Sequence, residues 1–190
     1  MTDDIYIQKV LDGNQDAFRF LIKKHKNLSY SYTISIVKDE FLAQEILQIS
    51  FIRAFTKLST FKGNSKFSTW LYRIIVNEAF KVLNKRKKEG FIYNEDESID
   101  EIIIDTMISK TDLEYQKYYI NKALEKLGPK ESLSLRLFYL EEHSIKDITE
   151  ITGWNKTNIK VLLHRGRINM KKILSVHTEN NKQTFNQWMN

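Results

Sequence analysis

Along most of the chain, apolar side chains recur three and four positions apart and rarely alternate with polar ones. That period marks helices burying one stripe, so the pattern predicts an all-α protein. Asp16 to Val37 reads as one helix, with Phe18, Leu21, Ile22, Leu28, Tyr32 and Ile36 at helical spacing. Glu40 to Leu58 reads as a second, with Phe41, Leu42, Ile46, Ile49, Ile52 and Phe55 among its inward candidates. The stretch Phe61-Lys62-Gly63-Asn64-Ser65-Lys66 breaks the period and predicts a loop. Ser68 or Thr69 then starts a third long helix, Trp70 to Lys88. Further on, a helix runs from Thr111-Asp112 to Leu127, stops at Gly128-Pro129, and is followed by another from Lys130 to Glu141. Ile145, Ile148 and Ile151 mark a short helix, and Gly153 supplies the backbone freedom of a tight turn. Asn155 or Thr157 caps the last helix, where Ile159, Leu162, Leu163 and Met170 point inward.

Charge divides this helical string into parts. Between Glu89 and Asp105 lie Glu95, Asp96, Glu97, Asp100, Glu101 and Asp105 with no Lys or Arg, a composition that repels itself and reads as a tether. Its apolar insert Ile102-Ile103-Ile104 is unusual for a free linker. The expected organisation is two small helical domains, 1–90 and 112–175, joined by a flexible acidic linker, 91–111, and followed by a polar tail, 176–190. The chain of 190 residues carries 30 Lys and Arg against 24 Asp and Glu, a net charge of +6 that suits a polyanion partner. With no Cys, disulfide frameworks, thiolate metal sites and cysteine nucleophiles are excluded. No leader or bilayer-length apolar run is present, so a soluble, cytoplasmic protein is expected.

Positive charge concentrates where nucleic acid could be met. The last helix presents Lys156, Lys160, His164, Arg165, Arg167, Lys171 and Lys172 outward, behind a glycine turn. A basic second helix after such a turn has the geometry of a helix-turn-helix reading the major groove. A solvated basic face is the plainer alternative. The stretch from Phe61 to Asn77 offers aromatic platforms, amides and cations together, with Trp70, Arg73 and Asn77 on one helix face. Phe67 and Trp70 read as core before base contact, whereas Asn64, Lys66 and Asn77 read as contacts. His25, His143, His164 and His177 show no metal-ligand spacing, and the carboxylates form no helical pair, so no enzyme and no cofactor are expected.

Four ordered stretches resemble the extracytoplasmic-function sigma factors of the sigma-70 family. They are Gly13-Asn14-Gln15-Asp16-Ala17-Phe18, Ala43-Gln44-Glu45-Ile46-Leu47-Gln48 with Phe51, Phe67-Ser68-Thr69-Trp70-Leu71-Tyr72-Arg73-Ile74-Ile75-Val76-Asn77, and Ala123-Leu124-Lys126-Leu127 with His164-Arg165-Gly166-Arg167. The resemblance implies partners in core RNA polymerase, promoter DNA and an anti-sigma factor, which could hold the protein at a membrane without insertion. It implies minus-ten reading as single strand by Lys62, Asn64, Ser65, Lys66, Trp70, Arg73, Asn77 and Lys81. Minus-thirty-five reading as duplex falls to Lys156, Asn158, Lys160, His164, Arg165, Arg167 and Lys171, and polymerase docking to Gln44, Glu45, Gln48, Phe51 and Arg53. Two departures stand out: Gln44-Glu45 where the docking helix usually has an acidic residue and an aspartate, and Thr149 where the family has a small Ala. The competing reading is a helix-turn-helix regulator acting without being a polymerase subunit.

Overall fold

The computed structural model describes residues 2–90 and 112–175, so the acidic segment 91–111 and the tail 176–190 lie outside the described residues. Four helices precede the gap: α1 (Asp3–Leu11), α2 (Phe18–Val37), α3 (Glu40–Thr56) and α4 (Phe67–Lys88). Four follow it: α5 (Asp112–Lys126), α6 (Pro129–Leu135), α7 (Ile145–Thr152) and α8 (Lys156–Ser175). Short 3-10 turns at Gln15–Ala17 and Leu58–Thr60 join the first set, and a π turn, Arg136–Leu140, extends α6. Among the described residues there is no strand.

Local chemistry fixes the boundaries. The Asp39 carboxylate accepts the Leu42 N–H at 2.9 Å and starts α3. Ser144 and Asp147 form a reciprocal capping box on α7. Gly153, at φ 74°, closes that helix in the left-handed region. Of the two expected caps on α8, Asn155 takes the role, accepting the Asn158 N–H at 2.8 Å. Pro129 ends one helix but also opens the next, sitting in the first turn of α6 where its missing N–H is not needed. Lys38 ends α2 with φ 57°, a conformation that usually favours glycine.

Helices α2, α3 and α4 pack pairwise into one bundle, with α1 laid across α2. Leu21, Ile36, Ile46, Leu58, Leu71 and Ile75 are fully buried there, each side chain contributing roughly 1.5–3 kcal/mol by leaving water. In the second block α6 packs on α8 and α7 crosses α8, around Leu133, Leu135, Ile148, Ile151 and Ile159. The expected inward residues of α8, Ile159, Leu162, Leu163 and Met170, are all buried.

The two blocks are not held apart. Their buried side chains form one contiguous core, with α2 against α6 and α4 against α7. This explains why α2 buries Ser35 as well as its apolar stripe: its hydroxyl meets Arg136 of the second block at 2.7 Å. In α3 the sequence expectation is corrected. Phe41, Ile49 and Ile52 are 75%, 43% and 58% exposed. Apolar residues run round most of this helix, so their spacing alone cannot choose the face that α2 and α4 cover.

Candidate nucleic-acid interface

Three surfaces gather the residues singled out by the sequence. The first is the 61–66 loop with the outer face of α4. Phe61, Phe67 and Trp70 form an aromatic cluster, their ring centroids 5.4 to 5.7 Å apart. Phe67 is buried, and its ring meets His25 edge-on at 5.6 Å, so it anchors the cluster. Trp70 and Phe61 are only half-buried. Lys62, Asn64 and Lys66 are exposed around Gly63, whose φ of 72° turns the loop, and Ser65 is half-buried. Along α4, Trp70, Arg73, Asn77 and Lys81 fall on one stripe, and the last three are exposed.

The stripe is flanked by structural charge. Glu78 is a buried carboxylate, held by the Arg53 guanidinium at 2.6 Å and by Lys81 at 3.8 Å. Arg86 pairs with Asp39 at 3.5 Å, and Lys85 with Glu89 at 3.7 Å. The basic end of α4 also complements the helix dipole.

The second surface is α8. Lys156, Asn158, Lys160, His164, Arg165 and Lys171 are all exposed, in company with Val161 and Ile168. Arg167 differs: it is half-buried and donates from Nη1 to the Tyr139 hydroxyl at 3.3 Å, tying α8 to the π turn. Gly166 lets the two elements approach. A Cβ at that position would come within 3.1 Å of the fully buried Leu135 side chain.

The third surface is the outer face of α3. Gln44, Glu45 and Gln48 are exposed there, interleaved with the outward Phe41, Ile49 and Ile52. Phe51 is a correction: at 8% exposure it belongs to the core and offers a partner no surface. Arg53 keeps partial exposure but is engaged with Glu78. The three outward apolar residues are the ones sequence reasoning placed wrongly. An excess of apolar positions over what one buried face can hold was the available signal.

Near the start of α4, an open pocket of about 530 Å³ lies between the blocks, lined by Asp3, Lys24, His25, Tyr72, Glu141 and His143 among others. His25 is buried, its Nε2 3.1 Å from the Asp3 carboxylate and its Nδ1 3.2 Å from the Tyr72 hydroxyl. Burial lowers the His25 pKa, the Asp3 carboxylate partly opposing that shift. Asp3, His25 and Tyr72 thereby pin α1 and α4 to α2. Among the described residues, no three His, Asp or Glu side chains gather where a metal ion could sit, and no helix is long and apolar enough to cross a membrane.

Comparison with known proteins adds the family context. Residues 21–89 match Sigma-70 region 2, and residues 118–170 match Sigma-70, region 4. The chain is 30% identical over 177 residues to the ECF RNA polymerase sigma factor SigW of Bacillus subtilis, covering 88% of this chain and 94% of that one. It is 26% identical to SigM of the same organism, over 80% of this chain and 92% of that one. Among solved structures, a sigma factor RpoE from Bartonella quintana, in complex with the anti-sigma factor NepR, aligns with a TM-score of 0.64 at 22% identity. That alignment covers 84% of this chain and 97% of the other. CnrH in complex with the cytosolic domain of CnrY aligns at 0.63 and 17% identity, over 90% and 96% of the two chains. At these identities the likeness establishes the fold.

Proposed function

Because this chain belongs to the extracytoplasmic-function sigma factors, which direct core RNA polymerase to particular promoters, we propose a division of that work among its three exposed surfaces. The outer face of α3 docks on core polymerase, Phe41, Ile49 and Ile52 supplying apolar contact and Gln44, Glu45 and Gln48 the polar rim. The 61–66 loop and the α4 stripe take the minus-ten element as single strand, and α8 takes the minus-thirty-five element as duplex. Residues 1–90 and 112–175 are thus two working units, with 91–111 as their tether and 176–190 as a tail.

Promoter opening needs no bond broken. It needs unstacked bases held more favourably than the duplex holds them, and base–aromatic stacking contributes roughly 1–3 kcal/mol per base. The half-open rings of Phe61 and Trp70 are suited to this, with Asn64 and Asn77 for base edges and Lys62, Lys66, Arg73 and Lys81 for phosphates. On α8, Lys160 and Asn158 sit in the first turns, where a major-groove helix meets base edges, while Lys171 lies toward the far end and suits the backbone. No residue in this scheme forms or breaks a covalent bond, so the chain acts as a specificity subunit and not as an enzyme.

The observation that carries the reading is the outward apolar stripe of α3 beside two separate basic readers. A regulator working on duplex DNA alone has no use for that stripe or for an aromatic loop. The place of action is the cytoplasm, where polymerase and chromosome are. An anti-sigma factor is the natural controlling partner, since the aligned RpoE is seen with the anti-sigma factor NepR. Run-off transcription with core polymerase, with and without the chain, on promoters of its own genome tests the proposal. Stimulated, promoter-selective transcripts are expected; tight dimeric binding to duplex DNA with no stimulation would overturn it.

A further inference from the structure

Beneath the aromatic cluster at the start of α4, a buried polar ring stands where an apolar one would pack. His25 of α2 is 5% exposed. Its ring meets Phe67 edge-on with centroids 5.6 Å apart, and Tyr72 at 5.9 Å. Phe67 in turn meets Phe61 and Trp70, each with a centroid separation of 5.7 Å. The series runs ring against ring from α2 to the loop. A rotation of His25 is therefore passed to Phe67, and from there to the two half-buried rings beside residues 61–66.

Packing alone does not fix that ring, because an open pocket of about 530 Å³ borders His25, Phe67 and Tyr72. Its hydrogen bonds do. The Asp3 carboxylate only accepts, so His25 Nε2 carries the proton and donates to Asp3 Oδ2 at 3.1 Å. Burial lowers the pKa of the ring from 6.5, so near pH 7 it is neutral and has no second N–H. Nδ1 is then bare and accepts from the Tyr72 hydroxyl at 3.2 Å. Lys24 donates to the other Asp3 oxygen at 2.7 Å and steadies the carboxylate. A single tautomer in a single orientation thus satisfies partners on α1 and α4 together.

A leucine or phenylalanine would fill this place without the cost of desolvating an imidazole. A satisfied polar network instead selects one arrangement among several that would pack equally well. We propose that His25, oriented by Asp3 and Tyr72, is a positioning residue for strand opening: it sets the angle of Phe67 and so readies the Phe61–Trp70 platform and its loop to capture an unstacked base. The proposal rests on the reading of that platform as the minus-ten site. In this scheme His25 never meets DNA and acts only through Phe67. Rings ordered before the base arrives need not be ordered on capture, which is how an internal hydrogen bond comes to favour opening.

Holoenzyme assembled from core polymerase and the full chain separates recruitment, read by mobility shift, from opening, read by permanganate reactivity of promoter thymines. His25→Phe keeps a ring and loses both hydrogen bonds. It should cut thymine reactivity at least about fivefold while recruitment stays within about twofold. Asp3→Ala and Tyr72→Phe should each give part of that loss, about two- to threefold, and add nothing on top of His25→Phe. Asp3→Asn, which still offers a carbonyl acceptor, should restore most of the opening lost in Asp3→Ala. Nitrogen NMR of the chain labelled at histidine should show His25 with Nε2 protonated and Nδ1 bare, and Asp3→Ala should mix the tautomers. Equal losses of recruitment and opening would make these residues a stability element and overturn the proposal. Full opening in all three variants, or a His25 ring protonated at Nδ1, would overturn it as well. Should His25→Phe not fold, Asp3→Ala and Tyr72→Phe decide by the same two readouts. Trp70→Ala tells the two readings apart: normal opening with it sinks the minus-ten platform itself. Opening lost with Trp70→Ala but kept in the His25, Asp3 and Tyr72 variants sinks only the positioning role.

Discussion

Single side chains decide how well each reader works. Asn64 and Lys66 are exposed on a loop whose turn is set by Gly63, beside rings that are already packed, so their loss should spare the fold. Asn64→Ala and Lys66→Ala should weaken strand opening by about 1–3 kcal/mol each while leaving promoter recruitment closer to normal. Permanganate reactivity of promoter thymines reads this directly, and full reactivity in both variants would make the loop structural. On α8, charge and sequence reading separate by position. Lys171→Ala should weaken upstream binding equally for all sequences and flatten its salt dependence. Lys160→Ala or Arg165→Ala should relax preference at particular base pairs by about 1–3 kcal/mol. Promoter libraries selected with each variant distinguish them; altered base preference from Lys171→Ala alone would mean that the helix enters the groove the other way round.

At the scale of elements, close packing sets the limits. Gly166→Ala gains helix propensity of up to about 1 kcal/mol. It also forces a methyl within 3.1 Å of Leu135, which is 1% exposed and has no room to retreat. The net effect should be destabilising by about 1–3 kcal/mol in urea unfolding, and an unchanged midpoint would show that α6 and α8 can part freely. On α3, Phe41→Asp and Ile52→Asp should lower affinity for core polymerase at least about tenfold without shifting the thermal midpoint, because neither side chain packs inside. Titration with labelled polymerase measures it, and undiminished binding would move the docking surface elsewhere. Helix positions, the Gly153 turn and the Asn155 cap were legible in the sequence because they act on neighbours a few residues away, whereas the caps at Asp39 and Ser144 emerged only in the structure. The burial of Ser35 was not legible either, since it depends on Arg136 in a block that arrives about a hundred residues later. Of the proposed readers, α8 was almost fully visible as a basic periodic face. Arg167 was misread as a simple outward cation because its partner Tyr139 sits on a π turn that no local pattern announces.

The whole molecule combines proposed readers that are individually small, and their joint use on a promoter falls to the larger assembly. The isolated chain should accordingly bind duplex promoter fragments weakly and with little sequence preference. Mobility shifts with and without core polymerase check this, and tight specific binding by the chain alone would contradict the division of labour. A net charge of +6 draws it to nucleic acid in general, so selectivity has to come from geometry imposed by the larger assembly. The bare α3 stripe of Phe41, Ile49 and Ile52 has a cellular price too. On the proposed docking, the chain without polymerase should be adhesive: prone to self-association when crowded and conspicuous to chaperones and proteases that survey exposed apolar surface. Its standing pool should therefore follow the supply of vacant polymerase, with any surplus synthesised in a burst cleared rather than stored.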